Sequence, residues 1–155
     1  ASIMKLAILS DTHGLLRPKV VAYLKTADAI LHGGDINKPA IVDQLREFAP
    51  LYVVRGNNDK AWAEAIPHDL TVALGGLTFY MIHNRKEIPA DLTGVDVVVF
   101  GHSHKYMQAE KGGLLWLNPG SCGPRRFNQE ITMMLADVED GNIRVEKIVI
   151  PQETA

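Results

Sequence analysis

The chain has 155 residues, 46% of them hydrophobic, and a formal net charge of −2, enough for one well-cored domain over residues 4–155 and too few for two. No run of Lys or Arg forms a footprint for duplex nucleic acid, and no stretch of about 18 apolar residues spans a bilayer, which excludes long nucleic acid and membrane as expected partners. The lone cysteine, Cys122, leaves no internal disulfide, points to a reducing, cytoplasmic setting, and is expected as a small packed side chain.

Taken in chain order, Ile3 to Leu9 is apolar around Lys5 and runs into Asp11 without a cleavage pattern, so a strand is predicted rather than a leader. Ala1, Ser2 and Ile3 precede Met4, the expected natural start, and carry no functional weight. Pro18 to Ala27 spaces Val20, Val21 and Leu24 as a helix with proline at its start. Ala29 to Leu31 predicts a strand, Pro39 to Phe48 a second helix through Ile41, Val42, Leu45 and Phe48, and Leu51 to Val54 another strand. The resulting βαβαβ order predicts a parallel sheet with right-handed crossovers.

The second half contains turn signals between strand-like runs. Gly75-Gly76 separates Leu70 to Leu74 from Leu77 to Ile82, Gly112-Gly113 separates Lys105 to Glu110 from Leu114 to Leu117, and Asp140-Gly141 separates Ile131 to Val138 from Ile143 to Ile150. Val97 to Phe100 is a short buried strand. These strands are expected to be antiparallel or mixed, so the whole chain reads as two packed sheets with helices outside.

Five polar motifs end five of the strands: Asp11-Thr12-His13, Gly34-Asp35, Gly56-Asn57, His83 and Gly101-His102-Ser103-His104. They are expected along one sheet edge, the C-terminal one, where loops vary while strands hold them in place. Residues i and i+2 on extended backbone project to one side, so Asp11 and His13 can converge on one ion and His102 and His104 on a site between two. Imidazole mixed with carboxylate suits manganese, iron, zinc or nickel rather than magnesium or calcium.

In this order the motifs resemble the pattern of the calcineurin-like metallophosphoesterases, D-x-H, G-D, G-N followed one residue later by an acid, H, and G-H-x-H. Leu117-Asn118-Pro119-Gly120-Ser121 followed by Pro124-Arg125 resembles the small bacterial and archaeal phosphodiesterase branch. The resemblance spans Lys5 to about Ile150 and implies an α/β fold, an α/β/β/α sandwich of two mixed sheets flanked by helices. It allots Asp11, His13 and His104 to one divalent metal, Asn57, His83 and His102 to another, and Asp35 to both. It further implies hydrolysis of a small phosphodiester by in-line attack of a hydroxide bridging the metals, with Asp35, Asn57 and His102 as the catalytic group. Two dications about 3.5–4 Å apart can clamp the entering and leaving oxygens, and a site near +1 suits a singly charged diester. Manganese is the expected metal, with zinc, iron and nickel as alternatives, and a homo-oligomer is a candidate assembly.

The chain departs from the family where His often follows the Gly-Asn pair and can protonate a leaving oxygen. Asn58 stands there, and an amide cannot act as that acid, which favours diesters over unactivated monoesters. Asn58, Arg85 and Arg125 are candidate substrate contacts, the last with Arg126 beside it; solvated loops are the bland reading of the arginines. His32 is expected to be packed, His68 exposed, and Trp62 and Trp116 packing residues. Competing readings are a phosphomonoesterase or short-strand nuclease of the same fold, and a non-catalytic scaffold like the small retromer subunit. All seven ligand positions are filled here, which favours the enzyme.

Overall fold

A computed structural model describes residues 3–125 and 129–151. The strands are β1 (Met4–Leu9), β2 (Ala29–His32), β3 (Leu51–Val53), β4 (Asp69–Leu74), β5 (Leu77–Ile82), β6 (Val97–Val99), β7 (Met107–Lys111), β8 (Leu114–Asn118), β9 (Ile131–Glu139) and β10 (Asn142–Ile150); the helices are α1 (Pro18–Leu24) and α2 (Pro39–Phe48). They form two five-stranded sheets, ordered β10-β9-β1-β2-β3 and β4-β5-β6-β8-β7. Both are mixed: β1, β2 and β3 run parallel while β9 is antiparallel to β1, and β5, β6 and β8 run parallel between antiparallel β4 and β7. The fold is therefore α/β with two mixed sheets, as expected from the motifs.

Alternation along β1 builds two cores at once. Ala7 and Leu9 face α1 and α2, which bury Val20, Leu24, Ile41, Val42 and Leu45, whereas Leu6 and Ile8 face the second sheet with Phe79, Met81, Val97 and Val99. Each such side chain contributes roughly 1.5–3 kcal/mol by leaving water. The outer face of the second sheet, Tyr80, Ile82, Val98 and Phe100, is covered by Ile88, Leu92 and Val95 of the segment joining β5 to β6. Cys122 is fully buried in the first core.

All three hairpins turn through two residues with positive φ at both, 58° and 85° at Gly75-Gly76, 62° and 79° at Gly112-Gly113, and 49° and 80° at Asp140-Gly141, which matches the twist of the flanking strands. Some boundaries move. Helix α1 stops at Leu24 rather than Ala27 because the Thr26 and Ala27 N–H groups bond three residues back, to the Tyr23 and Leu24 carbonyls, instead of four. Strand β7 starts at Met107 rather than Lys105, since His104 adopts a φ of 64° and the Lys105 N–H bonds to Ser103 Oγ. Short 3-10 turns at Ala61–Ala63 and Arg85–Glu87 carry no apolar period and were not expected.

Candidate metal centre

The five motifs do not share the edge of one sheet. Asp11-Thr12-His13, Gly34-Asp35 and Gly56-Asn57 follow β1, β2 and β3 of the first sheet, while His83 and Gly101 to His104 follow β5 and β6 of the second. The two sheets face each other, so the motifs meet from opposite sides of the inter-sheet core.

Extended backbone is not what brings these candidate ligands together either. Asp11, His13, Asp35, His102 and His104 have φ between 46° and 73°, a left-handed region that costs a side-chain-bearing residue of order 1–3 kcal/mol and clusters at functional sites. Each left-handed step turns the chain inward past a strand end, so ligands two apart can part company. The imidazole of His104 joins Asp11 and His13, that of His102 joins Asp35 and His83, and within each trio the ligand atoms lie within 4.8 Å of one another.

The two trios adjoin. His83 Nε2 is 3.2 Å from Asp35 Oδ2 and 3.9 Å from Asp11 Oδ1, His13 Nε2 is 3.8 Å from each of those oxygens, and His104 Nε2 is 3.5 Å from Asp11 Oδ1. Asp11 is fully buried; its Oδ2 accepts from Ser10 Oγ (2.9 Å) and the His102 N–H (3.2 Å), while Oδ1 faces the imidazoles with no hydrogen-bond partner. A buried oxygen left so costs about 1–3 kcal/mol, and a divalent cation is the partner this geometry fits. His83 Nδ1 lies 2.7 Å from the Gly33 carbonyl and must donate to it, so Nε2 is the atom that faces the centre, carrying a proton toward Asp35 when the ring is charged and a lone pair for a cation when it is neutral. The mixed N/O donor set belongs with borderline metals.

Electrostatics reflect this crowding. Burial pushes the Asp11 carboxyl up to about 7 against the pull of His83 and Ser10. Burial acts upward on Asp35 too, but the His83 imidazole and the Asn58 backbone N–H outweigh it and hold Asp35 well below the usual carboxylate range. His83 is raised, because Asp35 and Asp11 overcome its desolvation.

The remaining expected residues lie around this centre. Asn57 is exposed in the turn after β3 and lines, with His83, a cleft of about 330 Å³. Asn58 directs two of its donors at Asp35, its backbone N–H to Oδ1 (2.9 Å) and its side-chain amide to Oδ2 (3.1 Å). The Arg85 guanidinium lies over the Phe100 ring (5.9 Å) and reaches Met107 Sδ. Arg125 is exposed and donates to the Gln129 carbonyl; Arg126 lies outside the described residues. His32 is fully buried, accepts the Gly34 N–H at Nδ1 (3.0 Å) and therefore carries its proton on Nε2, 3.1 Å from Thr12 Oγ1. His68 is half-exposed and pairs with Glu87 at 2.8 Å. Trp62 and Trp116 pack against the first and third cores.

Sequence reasoning missed the supports. Asp59 accepts the N–H groups of Ile36, Asn37 and Gly56, tying the loop after β2 to the loop after β3. Ser121 Oγ holds the Asp11 carbonyl, and Asn118 Nδ2 holds the Gly101 carbonyl. The signal for Asp59 and Asn118 was present, as the acid ending Gly-Asn-Asn-Asp and the first residue of Asn-Pro-Gly-Ser. The motif glycines are explained by contact: a Cβ at Gly56 would overlap the Asp35 carboxylate, and one at Gly101 the Ser10 hydroxyl.

The family described as the calcineurin-like phosphoesterase superfamily domain matches residues 4–141. The chain belongs to this superfamily. A probable metallophosphoesterase of Methanocaldococcus jannaschii is 30% identical over 165 residues, covering 97% of this chain and 82% of the relative. Among solved structures, an archaeal phosphodiesterase superposes with a TM-score of 0.79 at 25% identity, covering 95% of this chain and all of the other. The zinc complex of Vps29 from Entamoeba histolytica gives 0.73 at 24% identity, covering 94% and 99%, a likeness of fold. This calcineurin-like phosphoesterase domain thus carries two potential metal-binding sites, and none of the helices among its described residues is long and apolar enough to cross a membrane.

Proposed function

We propose that this phosphoesterase is a phosphodiesterase that holds two divalent ions, manganese first among them, and cleaves a small phosphodiester by in-line displacement. One observation carries the reading: two adjoining His/Asp trios share a centre into which buried Asp11 Oδ1 points without a hydrogen-bond partner. Asp11, His13 and His104 would hold one ion, His83, His102 and Asn57 the other, and Asp35, within 4 Å of imidazoles from both trios, would lie between them. When bound, the pair supplies positive charge and an activated water at neutral pH.

The chain's own groups do the rest. Asn57, exposed on the cleft beside His83, presents an amide to a phosphoryl oxygen. Asn58, committed to Asp35, offers no proton to a leaving oxygen, so the substrate must bring a leaving group that departs without an acid. Diesters with good leaving groups meet that demand better than alkyl monoesters. The buried thiol of Cys122 fits a reducing, cytoplasmic setting.

The test is hydrolysis of bis-p-nitrophenyl phosphate against p-nitrophenyl phosphate with manganese, zinc, iron or nickel. Metal-dependent turnover, faster on the diester and lost in Asp35→Asn, is the expected result. Metal loading without turnover on either ester would support a scaffold, and a faster monoester would support a phosphatase.

A further inference from the structure

Strand β10 is an open edge. It closes one end of the first sheet, and among the described residues no strand pairs with its outer side. The two-residue turn at Asp140-Gly141 sets Asn142 opposite Glu139, so Asn142, Arg144, Glu146 and Ile148 direct their N–H and C=O groups at β9. Ile143, Val145, Lys147 and Val149 direct theirs outward, and Pro151, which has no N–H, stands where the open strip ends. The side chains divide the other way. Ile148 and Ile150 lie on the helix-covered face with Arg144 and Glu146, while Ile143 and Val145 lie on the inter-sheet face.

We infer that β10 pairs antiparallel with β10 of a second copy of this chain, about a two-fold axis at Val145, joining two first sheets into one of ten strands. Hydrogen-bond parity requires outward residues to face outward residues. Centred on Val145, the register sets Val145 against Val145 and Ile143 against Lys147, closing about six ladder bonds. On the helix-covered face it sets Arg144 against Glu146 twice, once on each side of the axis. Shifting the centre by one residue sets Arg144 against Arg144 or Glu146 against Glu146, and a shift to Lys147 sets ammonium against ammonium, all unfavourable when directly opposite. Arg144 already meets Asp137 of its own β9 at 3.1 Å, whereas exposed Glu146 has no ion-pair partner within the described chain. The pairing supplies one.

The register is tested in trans by sedimentation velocity over a concentration series. The wild type is expected to dimerise, and Arg144→Glu and Glu146→Arg are each expected to weaken the dimer by on the order of tenfold or more, because two attractive cross-strand pairs become repulsive. Mixing the two variants restores it, since one copy then presents only acids and the other only bases. Loss of the internal contact with Asp137 would not be repaired by mixing. Amide exchange at Ile143, Val145 and Lys147 should also slow as concentration rises. A wild type that stays monomeric, a dimer indifferent to both reversals, or variants that fail to associate on mixing would overturn the inference.

Discussion

At Asn58 the chain puts two donors on one carboxylate, the backbone N–H on Asp35 Oδ1 and the side-chain amide on Oδ2. Groups that orient a ligand in this way typically cost ten- to a hundredfold in metal affinity when removed. Asn58→Ala keeps the backbone donor, so manganese affinity measured by titration calorimetry should fall by about tenfold while the metal-free melting temperature barely moves. His32 yields a second prediction. Burial lowers its pKa from 6.5 to about 3, so the unfolded chain takes up a proton that the folded chain refuses. The stability this contributes is complete above about pH 6.5 and is lost as pH falls toward 3. Denaturant titrations of metal-free protein should show His32→Asn, whose Oδ1 can still accept the Gly34 N–H, losing up to about 1.4 kcal/mol less per pH unit than wild type across that window. Motif order alone picked out the six His and Asp side chains that the fold gathers into two trios. The double donation of Asn58 was not legible, because no residue type announces that its amide reaches back over twenty positions to a carboxylate.

Elements were legible where a period or a turn pair marks them. The apolar spacing of Val20 and Leu24, and of Ile41, Val42 and Leu45, forecasts both helices, and three glycine-bearing dipeptides forecast the hairpins. What spacing cannot reveal is a strand that ends in left-handed backbone. Asp11, His13, His102 and His104 look extended in the sequence because alternation is the only rule available there, yet their positive φ values separate His102 from His104. Glycine marks the close approach between loops more reliably. Gly56 has no room for a Cβ beneath the Asp35 carboxylate, so Gly56→Ala must displace either Asp35 or the Asn57 turn. The variant should stay folded by circular dichroism and lose at least tenfold in metal affinity, whereas Gly94→Ala, with open space around its Cβ, should bind metal as wild type does.

Across the molecule, each candidate ion would be gripped from both sheets. One trio takes Asp11 and His13 from the first sheet and His104 from the second; the other takes Asp35 from the first and His83 and His102 from the second. The sheets otherwise meet through the apolar side chains between them, of which Leu6, Ile8, Phe79 and Met81 are fully buried. Metal binding should therefore act as a clasp at one end of that interface, and only the folded pair of sheets presents the complete donor set. A ligand at a hundred times its dissociation constant adds about 2.7 kcal/mol to stability, or about 5–11 °C in melting temperature for a domain of this size. Manganese should raise the melting temperature by that amount or more, and a chelator should reverse the gain. Amide exchange should locate it: protection is expected to grow together around Leu9 to His13, His32 to Asp35, Ile82 to His83 and Phe100 to His104, and to stay unchanged at the hairpin turns of Gly75-Gly76 and Asp140-Gly141. Protection confined to the loops of one sheet would mean that the ion does not bridge the two.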